Sequence, residues 1–314
     1  MQVLVTGGAG FIGSHLTKAL LAEGAAVRVL DNLSTGNRCN LAGLDVELIE
    51  GDVADWEVVR SAVSDCALVY HQAALVSVPR SLEQPQLNQR SNVTGFFNVI
   101  EAARQAAVKR VVYASSAAVY GNLPQLPNRE SDPLAPITPY AAAKRMGEVL
   151  AGSYAAAYGL EVIGLRYMNV FGPRQDPSSP YSGVLSIFCR AVLENRGVTI
   201  HGDGEQTRDF IYVADVVQAN LRAARIAAQH LSDEPVFNVG RGKQTSLNQI
   251  VALLQEIAER PLPVSYSAER PGDIKHSVAD ISRARQMLGF EPKTTVKEGL
   301  AATLAWLEAA MHDA

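Results

Sequence analysis

Short apolar runs alternate with segments of helical periodicity through the first half of the chain. Val3-Leu4-Val5 precedes a glycine-rich turn, and residues 11–21 then carry apolar side chains at helical spacing. Val27-Arg28-Val29-Leu30 is a second run and ends at Asp31; others lie at 46–49, 67–71, 111–114 and 162–166. Helical patterns separate them, notably 93–107 and 141–158. Strands that are apolar throughout, joined by helices, are buried on both faces, which is the habit of a parallel sheet. The pattern therefore predicts an α/β chain with a doubly wound parallel sheet.

Near Phe171 the pattern changes. Residues 172–181 are rich in Pro, Ser and Gly and read as a loop. Beyond Ser182 helices and short strands mix. A polar, alanine-rich helix is expected at 221–230, and 235–239 reads as a strand able to rejoin the sheet. Residues 261–273 read as a proline-punctuated loop, and 296–311 as a closing helix. This predicts a cofactor-binding domain of 1–170 plus about 209–240. A smaller mixed α/β substrate-binding domain takes 171–208 and 241–314. The 314 residues suit two such units.

Composition narrows the picture. The net charge is −4, so no basic face for nucleic acid is expected. Hydrophobic residues are 47% and charged residues 19%, which suits a large core and argues against disorder. Three cysteines, Cys39, Cys66 and Cys189, form no CxxC pair, so neither a disulfide framework nor a metal site is expected. The chain opens directly on an apolar run without a basic leader, and no stretch reaches the 18 or so apolar residues of a membrane helix. A cytoplasmic protein is the expectation.

Candidate chemistry begins in the first turn. Thr6-Gly7-Gly8-Ala9-Gly10-Phe11-Ile12-Gly13 places Gly7, Gly10 and Gly13 between a strand and a helix. Glycine lets the backbone turn tightly against a pyrophosphate, and the helix N-terminus supplies N–H groups and positive dipole. Asp31 ends the second strand, where a carboxylate can accept both ribose hydroxyls of an adenosine and repel a 2′-phosphate. NAD is thus expected over NADP. Asp52, after the third strand, could bond an adenine amino group or cap the next helix.

Tyr140 and Lys144 stand four residues apart after Pro139, so a helix starting there puts both on one face. A lysine ammonium beside a phenol favours the phenolate, giving a general base. Ser116 follows the fifth strand, at the end where ligands bind in such sheets. Its hydroxyl could bridge a substrate hydroxyl and Tyr140, or could cap local backbone.

These residues resemble the extended short-chain dehydrogenase/reductase family and, within it, the UDP-hexose 4-epimerases. The resemblance spans essentially the whole chain. It rests on TGGAGFIGSHL at 6–16, HQAA at 71–74, SSAAVYG at 115–121 and PYAAAK at 139–144. It continues through LRYMNVFGP at 165–173, GDGEQTRDFIYVAD at 202–215 and RPGDIKHS at 270–277. It implies a Rossmann cofactor half with NAD contacts at Gly7, Gly10, Phe11, Ile12, Gly13, Asp31, Asn32, Asp52, Val53, Ala73, Tyr140 and Lys144. It implies that Tyr140 takes the proton of the sugar 4-hydroxyl while hydride passes from C4 to NAD. The transient 4-keto sugar turns over and is reduced on its other face. Lys144 would hold the nicotinamide ribose and tune Tyr140, and Ser116 would orient the proton.

Relatives that dehydrate or decarboxylate the keto sugar resemble one another in acidic residues just after this serine or threonine. Here those positions are Ala117 and Ala118. Alanine moves no proton, so the chemistry should stop at epimerisation.

For the substrate, the resemblance assigns the diphosphate to Arg208, Arg270 and Asn169 and the uridine ribose to Asp273. Ser77 and Val184 join Ser116 in the sugar pocket. Ser277 matches a position that gates pocket size. A small residue there implies that UDP-GlcNAc and UDP-GalNAc are accepted beside UDP-glucose and UDP-galactose, unless a neighbouring side chain fills the space. Val76 stands where bacterial UDP-galactose epimerases resemble one another in a lysine, which argues against strict UDP-galactose use. His71 is read as structural. A homodimer through 92–107 and 140–158 is implied. The rival readings are a UDP-glucuronate 4-epimerase, for which Arg80 is the one candidate for the sugar carboxylate, and a non-catalytic NAD-binding protein.

Overall fold

The computed structural model describes residues 1–177, 183–231, 235–269 and 274–312. Arg270 and Asp273 therefore lie outside the described residues. Six strands of the first half are β1 (Gln2–Thr6), β2 (Ala26–Asp31), β3 (Val46–Glu50), β4 (Leu68–His71), β5 (Arg110–Ser116) and β6 (Glu161–Tyr167). Between them run α1 (Phe11–Ala22), α2 (Trp56–Val63), α3 (Val78–Glu83), α4 (Pro85–Asn88), α5 (Gly95–Gln105) and α6 (Pro139–Tyr158). The second half contributes β7 (Asn169–Phe171), α7 (Val184–Leu193), β8 (Val198–His201), β9 (Thr207–Arg208), β10 (Phe210–Tyr212) and α8 (Val213–Arg225). It ends with β11 (Val236–Val239), β12 (Thr245–Ser246), α9 (Leu247–Ala258), β13 (Val264–Ser267), α10 (Ser282–Leu288) and α11 (Val296–His312).

Seven strands form one parallel sheet in the order β11-β6-β5-β4-β1-β2-β3. The chain winds outward in both directions from β1 and β4, so a crevice opens above their carboxyl ends. Alternation within β1 shows how both faces are covered. Val3 and Val5 join Leu16 and Leu20 of α1 and Val216 and Leu221 of α8 in one core. Leu4, between them, joins Val59 and Val63 of α2 and Val99 and Ile100 of α5 in another. Each such fully buried aliphatic side chain contributes about 1.5–3 kcal/mol. A third core gathers Leu185 and Phe188 of α7, Ile250 and Leu254 of α9 and Leu300 and Leu304 of α11. The segment carrying Ile281, Ala284, Leu288 and Phe290 packs with the sheet rather than with that third core.

Three readings of the local pattern change. The helix expected at 221–230 begins at Val213 and stops at Arg225, where Ile226 turns to an extended ψ of 138°. Its polar start escaped the apolar count because Asp215 faces inward, accepting the backbone N–H groups of Lys293 and Thr294 at 2.9 and 3.1 Å. The loop read at 261–273 contains β13, paired in parallel with β8. Pro261 and Pro263 precede this strand and so do not interrupt its pairing. The helix expected at 93–107 is α5, Gly95–Gln105, and a π-helical turn at Gln89–Thr94 joins it to α4. Among the described residues no helix is long and apolar enough to cross a membrane.

Candidate active site

The glycine loop closes the turn between β1 and α1. Gly7 has φ of 69°, and a Cβ there would lie 2.6 Å from the backbone nitrogen of Ala73. A Cβ on Gly13 would collide with the Gly7 carbonyl oxygen. The backbone of α1 thus packs against the loop at a distance only glycine permits. Gly10 donates its N–H to Gly7 O at 3.1 Å and caps α1, which Phe11 and Ile12 open. Asp31 is 7% exposed at the end of β2. Its two carboxylate oxygens accept the N–H groups of Ala9 and Leu33, each at 2.9 Å. Every carboxylate oxygen has more than one lone pair, so the group ties its own loop and can still accept ribose hydroxyls. Asn32 accepts from the Ser34 backbone and hydroxyl at 3.1 and 2.7 Å. Ala73 donates to Thr6 Oγ1 at 3.3 Å. A cradle that a Cβ would fill, beside a carboxylate at the end of β2, fits a dinucleotide.

For Asp52 the helix-capping alternative is wrong, since Asp55 caps α2. Asp52 instead accepts the Ala54 N–H at 2.9 Å and pairs with Arg90 at 3.3 Å. Val53 is buried beside it, its carbonyl accepting from Asn98 at 3.1 Å.

At the carboxyl end of β5 the phenol, hydroxyl and ammonium come together. Thr138 caps α6 by accepting the Ala141 N–H at 3.2 Å, and Pro139 occupies the first turn. Ser81 of α3 accepts the Tyr140 N–H at 3.2 Å, and Asn88 of α4 donates to Pro139 O at 3.1 Å. Tyr140 is buried and hydrogen-bonded to the Ser116 side chain. Ser116 also accepts the Ala118 N–H at 3.2 Å, so its hydroxyl caps local backbone. Lys144 Nζ donates to Ala114 O at 2.7 Å and lies 5.8 Å from the centre of the Tyr140 ring.

The electrostatics differ from the simple expectation. Burial pushes the Tyr140 phenol above its ordinary value, opposed by the Ser116 hydrogen bond. Burial also pulls Lys144 down to about 8, opposed by the charge of Glu148. The lysine therefore holds its proton less firmly than a surface lysine does. His71 is buried, bonded to Thr6 Oγ1 at 2.7 Å, and burial drives it down to about 3, so it is neutral.

Of the residues assigned to the substrate, Asn169 and Arg208 lie on two strand pairs and Ser77 and Val184 at helix starts. Asn169 opens β7, pairs with Phe210 of β10 and donates its backbone N–H to Asp209 O at 3.0 Å. Arg208 ends β9, with Nη1 donating to Thr207 O at 2.9 Å and Lys275 O at 3.2 Å. Ser277 is half-buried and donates its N–H to the same Thr207 carbonyl at 3.2 Å, so Ser277 and Arg208 share one edge. Val184 opens α7. Ser77 is nearly buried and caps α3, accepting the Arg80 N–H at 3.1 Å.

Sequence reasoning missed Asp209. Its buried carboxylate accepts the N–H groups of Arg241, Gly242 and Ala279 at 2.7, 2.9 and 3.3 Å, and burial pushes it up to about 6. It joins the Arg208 strand to two later segments of chain. An acidic residue flanked by Arg and Phe was the available signal, but its partners lie 32 and more residues away.

Residues 3–240 match the NAD dependent epimerase/dehydratase family. Among solved structures, the UDP-glucose 4-epimerase of Thermotoga maritima with UDP-glucose superposes with a TM-score of 0.94 at 38% identity, covering 99% of this chain and 100% of that one. The UDP-N-acetylglucosamine 4-epimerase of Methanobrevibacter ruminantium, in complex with UDP-N-acetylmuramic acid, gives 0.93 at 39%, covering 99% of each chain. The UDP-glucose 4-epimerase of Thermus thermophilus, in complex with NAD, gives 0.90 at 38%, covering 99% and 100%.

Proposed function

The chain belongs to the NAD dependent epimerase/dehydratase family, and from that premise we propose that it inverts C4 of a UDP-hexose with Tyr140, Ser116 and Lys144 as its working groups. It is an isomerase. The observation that carries the residue roles is the meeting of Tyr140, Ser116 and Lys144 at the end of β5, beside the glycine cradle. NAD, held by the glycine loop and Asp31, supplies a reversible hydride acceptor for the sugar carbon.

The chain's own groups do the rest. Tyr140 accepts the proton of the 4-hydroxyl and returns it after inversion. Ser116 holds the phenolic oxygen in line through the hydrogen bond they share. Lys144 brings a cation to 5.8 Å from the centre of the Tyr140 ring, and a cation beside a phenol favours phenolate. Arg208, with Arg270, suits the diphosphate because a guanidinium forks onto phosphate oxygens. That anchor lets the hexose turn while the nucleotide stays. Ala117 and Ala118 follow Ser116, so no carboxylate there drives elimination.

Ser277 is small and half-buried on the Arg208 edge, which supports acceptance of 2-acetamido sugars as well as UDP-glucose and UDP-galactose. The division into a cofactor half of 1–170 with about 209–240 and a substrate half is part of the same reading, amended in that 281–290 packs with the cofactor sheet. So are a cytoplasmic location and a homodimer. Phe97 of α5 and Met146 and Val149 of α6 are 43%, 49% and 52% exposed, an apolar face suited to a second copy.

Tyr140→Phe tests the chemistry. Turnover of UDP-glucose, followed by NMR of the product, should fall by about 10²–10⁴-fold with bound NAD retained; full turnover would refute the assignment. A panel of UDP-glucose, UDP-GlcNAc and UDP-glucuronate ranks the sugars, and preference for UDP-glucuronate would overturn the pocket reading.

A further inference from the structure

Three consecutive residues of β5 are each tied to α6. Ala114 O accepts from Lys144 Nζ at 2.7 Å. The Ser115 hydroxyl donates to Glu148 Oε1 at 2.7 Å. Ser116 bonds Tyr140. The helix partners 140, 144 and 148 recur every four residues and so lie along one stripe. Two of them belong to the proposed chemistry, but Glu148 is only 2% exposed and bonds inward, toward β5 and β6.

This carboxylate is held on every side. Arg166 of β6 grips it with two bonds, Nε to Oε1 at 2.8 Å and Nη2 to Oε2 at 2.9 Å. Arg145 reaches Oε2 at 3.2 Å. Arg166 in turn donates to the Tyr120 hydroxyl at 2.9 Å, which donates to Asn238 Oδ1 at 2.7 Å. Burying two charges gains little stability over a well-packed apolar pair. Glu148 lies one helical turn beyond Lys144 and is bonded to Ser115 of β5, the strand that receives both Lys144 and Tyr140, which gives the carboxylate a different use.

We propose that Glu148, locked by Arg166 and Ser115, is a positioning residue for Lys144: it sets the register of α6 on β5 and keeps the ammonium charged. The inference rests on the role given to Lys144 above. The ionisable groups around Lys144 are few. Burial keeps His71 of β4 neutral, the Tyr140 ring centre lies 5.8 Å from the ammonium, Tyr113 of β5 lines the same recess, and Arg145 and Arg166 are turned onto Glu148. Among the described residues, and while Tyr140 is the neutral phenol, Glu148 is the negative charge acting against the burial of Lys144.

Glu148→Gln keeps the acceptor oxygen and removes the charge. The alkaline limb of kcat for UDP-glucose should move to lower pH by about one unit, with KM little changed. Activity well above the limb falls about tenfold, and Glu148→Asp restores part of the shift. Should the uncompensated Arg166 prevent folding, Glu148→Gln with Arg166→Met removes both charges, and a downward shift of the same sign but smaller size is expected, because the lost cation partly offsets the lost carboxylate. A folded variant whose kcat falls equally at all pH values, its limb where the native limb stands, refutes the proposal and leaves Glu148 a structural residue. Tyr140→Phe separates the two ideas: full turnover there undoes the site assignment, whereas an inactive Tyr140→Phe with an unmoved Glu148→Gln limb undoes only the role of Glu148.

Discussion

Gly13 and Gly10 share a loop but not a tolerance for side chains. A Cβ at Gly13 strikes the Gly7 carbonyl, whereas at Gly10 its nearest neighbour is 3.2 Å away. Gly13→Ala should therefore lose most of the NAD that copurifies, released by acid and quantified, while Gly10→Ala keeps more of it. His71 carries a pH prediction of definite sign. Folded, it titrates near 3; unfolded, near 6.5. Its contribution is complete above 6.5 and is lost as pH falls below that, at up to about 1.4 kcal/mol per pH unit. The drop in Tm between pH 6.5 and 4 should be smaller in His71→Asn than in the native protein. At this scale the local motifs were legible. The glycine spacing, Asp31 and the Tyr140–Lys144 interval each express a constraint within a few residues. Asp209, Glu148 and Arg166 were not, because a charged residue reads as surface until its distant partners are known.

Among the elements, α6 bears most directly on the site. Its cap, Thr138, stands two residues before Tyr140, and Ser81 and Asn88 clasp the same turn. Thr138→Ala should cost about 1 kcal/mol in urea unfolding. Because the loosened turn carries the phenol, kcat should fall by more than KM changes. Pro139 made the start of this helix readable, and Gly159, left-handed at φ of 68°, ends it. The π-turn at Gln89–Thr94 was not readable. Its side chains carry ordinary helical propensity, and the extra residue is accommodated by Asn92, which bonds both backbone groups of Leu75 at 2.8 and 3.0 Å. Strand β13 was obscured because Val264-Ser265-Tyr266-Ser267 is short and mostly exposed. Met146→Glu with Val149→Glu tests the apolar face of α5 and α6. If that face joins two copies, sedimentation velocity should record a dimer for the native chain and a monomer for the variant.

Across the whole molecule, the apolar runs sufficed for the parallel sheet and for the return of 235–239 to it, because each buried strand declares itself by composition. Which late segments cover the sheet was less accessible: α10 and Phe290 pack on the first core, a choice made by three-dimensional complementarity rather than by period. The last strand of the seven-stranded sheet to be made has a kinetic corollary. β11 pairs with β6, and Asn238 also bonds Tyr120, Asn128 O and Asp280 O. Until residue 239 has left the ribosome, β6 presents an open edge of Val162, Ile163 and Leu165, all destined for burial. Nascent chains stalled before that point should bind chaperones and aggregate when released, and those stalled well beyond it should not.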